Sequence, residues 1–380
     1  MRKKIQPLLA ERMSGPSTSI FVGREGYPNV LAGPMVSLAG PQPDQWFGQT
    51  YQQIIEARSL IVRSSRQENI FSRSRFVEDN QLLAMASKPA DTEVTFTKKP
   101  FYRFFLSDYL QPMGPSGQLK KMAITENVRV PAAVENIVRD ELTAAEAANA
   151  LYNNEQDVYK ITTIFSSGVL GAKRRLVPTR WSITATDDIL AKQMMEAIRE
   201  APHLPDYLVL EAKYMDNHFC ILLMPGSWEY ENFETWAPCS NWAAFSPQKI
   251  IPEYEPFGGR TAYAESQAGG YYAARLAAVE YLHKARKQAK VVSFREIYEG
   301  YQIPLGVWVV RETARAAMRQ QPKRFSTLDE AMVYLDSRNR IPVAAYRQKS
   351  RILGRKTLGD FLSWGRGDLN SRRKVPNLLC

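Results

Sequence analysis

The chain has 380 residues, 50 Lys and Arg against 39 Asp and Glu, and a formal net charge of +11. Its length exceeds the roughly 250–300 residues at which one hydrophobic core stops growing, and the basic balance favours an anionic partner, nucleic acid before membrane. Nothing resembles a transmembrane span, and Pro7 and Glu11 bracket an apolar run too short for a signal peptide, so the chain reads as cytoplasmic with no membrane partner.

Residues 19–22 suit a short strand. Gly23-Arg24-Glu25-Gly26-Tyr27-Pro28 then reads as a tight loop. Its glycines either permit close backbone approach to a ligand, with Arg24 as an anion contact, or simply turn the chain between strands. Residues 46–62 have helical spacing, which places Arg58, Arg63 and Arg66 on a polar side. Alternation through Val94 and Phe96 predicts a strand within 87–105, followed by Lys98-Lys99; Pro112, Gly114 and Pro115 mark a loop. Residues 128–152 carry helix-like patterning, with a second short helix from about Thr143.

Residues 171–188, GAKRRLVPTRWSITATDD, place Lys173, Arg174, Arg175 and Arg180 beside Trp181, a run of hydroxyls and two adjacent carboxylates. The cations suit phosphate, of a DNA backbone or of a small nucleotide, and Arg offers bidentate geometry for both. Trp181, Tyr271 or Tyr272 can stack a base. Asp187 and Asp188 either hold a divalent ion or act as a base, or else cap the helix expected over 188–200; Arg180 equally suits an ion pair with either.

Residues 208–214 and 219–224 are expected to pair as strands across a turn at Asp216-Asn217. Trp228 and Tyr230 alternate with Glu229 and Glu231, which suits a strand with one acidic face. Gly269-Gly270 lead into a helix over 271–288, where Tyr271 and Arg275 are further candidate ligand contacts and Glu280 and Lys284 form an i, i+4 pair. The glycine-rich start serves either an anion or a positive φ. Residues 291–297 and 306–310 read as short strands, with helices over 313–319 and 327–338. Cys220, Cys239, Cys380, His203, His218 and His283 show no metal-ligand spacing, so neither a disulfide framework nor a metal site is expected, and His218 reads as a hairpin-edge residue.

This mixed order of elements argues for an α+β fold, irregular mixed α/β, with a large core in two lobes. The expected division is an N-terminal lobe at 1–155, a C-terminal lobe at 156–345 with a candidate phosphate or nucleotide pocket, and a flexible tail at 346–380. From residue 345 to the end, nine Lys and Arg stand against two Asp, so much of the excess charge sits on the tail.

The segments SIFVGREGYPNVLAGP, SKPADTEV, QPMGPS, LVPTRWSITATDD, GGYYAARLAAVEYL and PLGVWVVRE resemble, in that order, the Nre family of archaeal DNA-repair proteins. The resemblance implies a role in DNA repair and a C-terminal peptide that binds the sliding clamp, of the form Gln-x-x-Leu-x-x-Phe-Phe. The matching residues here are Arg355, Leu358, Phe361 and Leu362, with Arg where the family has Gln, a departure that bears on affinity. Leu358, Phe361 and Leu362 lie at i, i+3 and i+4, so one helical turn presents all three to a groove, on the clamp or on the chain's own domain. Many family members resemble zinc proteins through N-terminal cysteine pairs. None precedes the loop at 23–28 here, so no zinc is expected. The function expected is therefore a repair factor recruited by the clamp, with salt-dependent DNA contacts through its cations. The alternatives are a hydrolase acting on a nucleotide or ADP-ribose-type phosphate, and a non-catalytic clamp-bound scaffold. No cofactor is expected beyond a bound nucleotide or divalent ion.

Overall fold

A computed structural model describes residues 6–38, 46–102, 113–240, 243 and 248–354. Two strands rich in small and β-branched residues, β1 (Arg12–Val22) and β2 (Asn29–Ser37), flank the glycine loop and pair antiparallel. Helix α1 (Tyr51–Ser59) is capped by Thr50 and Gln53 and ends at Leu60, shorter than its spacing suggests. Ile61 and Val62, both β-branched, instead open β3 (Ile61–Asn69), so Arg63 and Arg66 lie on a strand. Helix α2 (Arg75–Met85), β4 (Ala90–Phe96) and β5 (Ser116–Ile124) follow.

These strands close a barrel in the order β1-β2-β3-β5-β4, with β3 parallel to β5 and the other neighbours antiparallel. Ile20, Val30, Val62, Val94 and Leu119 fill it, and Phe76 and Val77 of α2 pack into the same cluster. At Gly33 an added Cβ would lie 2.1 Å from the Ser64 carbonyl oxygen, so only glycine lets β2 approach β3 so closely. The strand order, with a helix between β3 and β4, is that of an OB-type barrel.

Helices α3 (Ala132–Arg139), α4 (Ala144–Asn153) and α5 (Val158–Ser166) come next; Thr143 caps α4 with Glu146 at the position its sequence indicates. Helix α6 (Thr179–Arg199) begins nine residues before the helix expected at 188. Its first half buries Ser182, Thr186 and Asp187, and polar residues on a buried stripe hide the helical period.

The second sheet is built from β6 (Tyr207–Tyr214), β7 (Asn217–Met224), β8 (Glu229–Trp236), β9 (Lys249–Glu255), β10 (Lys290–Ile297) and a short edge strand. Helices α7 (Gly269–Ala285) and α8 (Val307–Met318) precede that edge strand, β11 (Lys323–Phe325); α9 (Leu328–Arg338) and α10 (Val343–Arg347) follow it. The order is β11-β6-β7-β10-β8-β9, antiparallel except for β10 beside β8. Alternation sends Leu210, Phe219, Ile221 and Val291 to a core shared with α6, α7 and α8. Val209, Cys220, Leu222 and Phe294 go to the opposite core beneath α9 and α10. Helices on both faces make β7 and β10 almost wholly buried, so the fold is α+β with one mixed, doubly covered sheet beside the barrel.

Three local expectations are corrected here. Residues 307–310 open α8 and are not a strand; Val309, Val310, Thr313, Ala314 and Ala317 bury at helical spacing. Glu229 and Glu231 share one face of β8, but that face is buried and its charges are taken up inside, because β8 lies between β9 and β10. Glu229 pairs with Lys290, and Glu231 accepts from the backbone of Arg351 and Ile352. Glu280 takes Arg315, at 2.5 Å, as its ion-pair partner in place of Lys284.

Barrel and sheet share a fourth cluster, in which Trp46, Ile54 and Ile61 meet Trp236, Tyr301 and Trp308. Arg58 donates across it to the Leu305 carbonyl at 2.7 Å, and burial lowers its guanidinium to about 10. Among the described residues no helix is long and apolar enough to cross a membrane.

Candidate nucleic-acid interface

The glycine loop at 23–28 is the β1–β2 connection of the barrel. Gly26, at φ 77°, turns it; the Asn29 N–H donates to the Gly26 carbonyl at 2.8 Å, and an added Cβ would lie 2.7 Å from the Asn29 oxygen. The Tyr27–Pro28 peptide is cis. Two further bonds brace the loop: Gly23 N–H to Leu31 O at 2.7 Å, and Ile70 N–H to Pro28 O at 2.9 Å.

The start of α6 is docked against this loop. The Val22 N–H donates to Thr179 Oγ1 at 2.9 Å, and Thr179 Oγ1 lies 3.1 Å from Ser166 Oγ at the end of α5. Pro178, at the N-cap of this 21-residue helix, offers no side-chain acceptor; its carbonyl takes the Trp181 and Ser182 N–H groups at 2.8 and 3.0 Å. Across this joint Tyr27 meets Trp181, with ring centroids 5.5 Å apart and planes at 50°. Both rings are open to solvent, 44% and 47% exposed.

Arg24 lies three residues before Tyr27 and Arg180 directly before Trp181, both exposed and, among the described residues, with no carboxylate partner. Lys173, Arg174 and Arg175 are exposed just before Leu176, which plugs the barrel and donates its N–H to Ile70 O at 2.8 Å; Arg174 also donates to Val138 O at 2.9 Å. The fold thus joins the ends of two cation-bearing sequence motifs through two exposed aromatic rings. Cations and exposed aromatic rings are the groups that can contact phosphates and stack bases, and this loop is the β1–β2 connection that OB-type barrels use for oligonucleotides.

The other candidates lie inside the protein. Tyr271 and Arg275 are buried on α7: the Tyr271 hydroxyl donates to Glu255 Oε2 at 3.0 Å, and Arg275 bridges Glu255 and Asp188 at 2.5 Å each. Asp188 also pairs with Lys192 at 2.7 Å. Asp187 is fully buried and takes a two-pronged contact from Arg311, at 2.7 and 2.9 Å from one guanidinium nitrogen and 3.1 Å from another. Burial pushes its carboxyl upward and Arg311 opposes this; the contact has the geometry of an ionised pair. Asp187 and Asp188 stand at the ninth and tenth positions of α6, so neither caps it, and neither pairs with Arg180. At the start of α7, Gly269 and Gly270 are buried and helical. A Cβ on Gly269 would meet Val307 at 2.7 Å, so the glycine serves helix packing. The candidates drawn from sequence alone omit Tyr27, although an aromatic ring between Gly26 and Pro28 at a loop tip signals it. Arg355, Leu358, Phe361 and Leu362 lie outside the described residues.

Comparison with known proteins follows the same lines. Residues 1–243 match the family description "Archaeal Nre, N-terminal", and residues 255–361 match "Archaeal Nre, C-terminal". The chain is 37% identical over 354 residues to DNA repair protein NreB of Archaeoglobus fulgidus, covering 90% of each chain. It is 35% identical over 336 residues to DNA repair protein NreA of that organism, covering 84% of each. DNA repair protein NreA of Haloferax volcanii is 33% identical over 358 residues, covering 88% of this chain and 85% of that one. No solved structure matches the chain.

Proposed function

Because the chain belongs to the archaeal Nre family, we propose that it is a DNA-repair factor that holds single-stranded or unstacked DNA at the joint between the barrel loop and α6. The observation that carries this reading is the exposed Tyr27–Trp181 pair, with Arg24 and Arg180 near it in the chain. The rings stack on bases, and the arginines together with Lys173, Arg174 and Arg175 take phosphates. Recruitment through the sliding clamp rests on Leu358, Phe361 and Leu362, whose spacing presents one apolar face. The hydrolase alternative draws no support from Asp187 and Asp188, which are engaged by Arg311, Arg275 and Lys192.

A salt titration tests the DNA contact. Binding of a fluorescent single-stranded oligonucleotide should weaken steeply with salt, and Arg24→Ala with Arg180→Ala should lower the slope of log affinity against log salt by about one for each phosphate that is no longer neutralised. Absent or salt-independent binding would count against the proposal.

A further inference from the structure

Strand pairing brings together three side chains that no linear motif connects. Glu211 on β6 stands opposite Cys220 on β7, and His218, two residues back on the same face of β7, lies diagonal to it. Glu211 Oε2, His218 Nε2 and Cys220 Sγ converge: Nε2 is 3.5 Å from Sγ and 3.7 Å from Oε2, and Sγ is 3.9 Å from Oε2. A tetrahedral zinc ion, with bonds of about 2.0–2.1 Å to nitrogen or oxygen and about 2.3 Å to sulfur, sets its ligand atoms about 3.3–3.5 Å apart. Shifts of a few tenths of an ångström bring the three atoms to those edges.

The surroundings orient the ligands. The Tyr298 hydroxyl donates to Glu296 Oε2 at 2.7 Å and lies 3.0 Å from His218 Nδ1. With its own proton committed, that hydroxyl accepts from Nδ1–H, which leaves the Nε2 lone pair facing Cys220 and Glu211. From the outer side Arg338 Nε donates to Glu211 Oε2 at 2.8 Å, and the Tyr334 hydroxyl donates to Oε1 at 3.3 Å; both belong to α9. Cys220 is fully buried beneath α9 and α10, so a nucleophilic Cys–His pair has no route to a substrate. Thiolate, carboxylate and neutral imidazole instead make a mixed soft and hard set that balances a divalent charge.

We propose that Glu211, His218 and Cys220 bind one Zn²⁺. Binding replaces the Cys220 S–H bond by a Zn–S bond and releases one proton. The site is separate from the DNA-binding surface and from the N-terminal cysteine pairs that this chain lacks. Cysteine and histidine spacing misses it because the third ligand stands on the neighbouring strand.

The test uses the full chain, stripped with chelator and titrated with Zn²⁺ alone and with Co²⁺ alone, the latter read by thiolate-to-cobalt charge-transfer absorption. One equivalent should bind. The sulfur band should vanish in Cys220→Ser and persist in the Cys239→Ser/Cys380→Ser double variant. Glu211→Gln, which alters a partly exposed side chain and keeps the fold testable by circular dichroism, should weaken Zn²⁺ binding by at least about tenfold. Failure of the wild-type chain to bind one equivalent overturns the site. So does an undiminished sulfur band in folded Cys220→Ser, or undiminished affinity in folded Glu211→Gln.

Discussion

Replacing Asp187 by Asn asks directly whether the adjacent carboxylates of α6 serve the fold. Asp187 is fully buried and Arg311 is 2% exposed; hydrogen bonds of 2.7–3.1 Å join them. Asn keeps the shape, removes the charge and turns an N–H₂ donor toward a guanidinium that only donates. Arg315, whose like charge acts on Arg311, then adds repulsion. Leaving one buried charge without its partner costs about 3–5 kcal/mol, so chemical denaturation should show a loss of that size. The double variant Asp187→Leu with Arg311→Met removes both charges together and should recover most of the loss, since apolar replacement of a buried pair is often neutral. A loss below about 1 kcal/mol in Asp187→Asn, or no recovery in the double variant, would refute the structural assignment.

Three further outcomes follow from the same geometry. Lys160 donates to the Ala86 carbonyl, and burial lowers its ammonium from 10.5 to about 8. Between those values the unfolded chain binds the proton that the folded chain has released, so wild-type stability gains relative to Lys160→Met as pH rises from about 8 to about 10.5; a pH-independent difference would contradict this. Thr179→Val removes the acceptor of the Val22 N–H and should cost about 1–3 kcal/mol. Hydrogen exchange should show faster exchange confined to residues 22–28. In the tail, Phe361→Ala with Leu362→Ala should abolish pull-down by the sliding clamp, and undiminished capture would show that this peptide is not the clamp contact.

Local signals were legible where short-range chemistry decides structure. Thr143 with Glu146 marked a helix start, Asp216-Asn217 marked the β6–β7 turn, and the glycines at 23 and 26 marked the loop beside the site. Long-range pairing was not legible. The parallel register of Arg63 with Ser116 closes the barrel across more than fifty residues, and nothing in either segment names the other. Polar residues on buried faces hide the structure in several places: Asp187 and Thr186 conceal the first half of α6, and the acidic face of Glu229 and Glu231 gives no sign that it is buried in a central strand. Tyr271 and Arg275 showed the same composition as a ligand pocket because a buried ion pair and an anion site draw on the same residues. Of the candidate site, Arg24, Arg180 and Trp181 were readable as separate phosphate or stacking groups. Their meeting with Tyr27 depends on Thr179 holding the barrel loop, a hydrogen bond spanning 157 positions.

Tyr27→Ala/Trp181→Ala with a single-stranded oligonucleotide at fixed salt tests whether the exposed aromatic pair grips DNA bases. Base–aromatic stacking contributes about 1–3 kcal/mol per base. The double variant should therefore bind at least about tenfold more weakly while keeping the wild-type salt slope and melting temperature. Wild-type affinity in the folded double variant would contradict it.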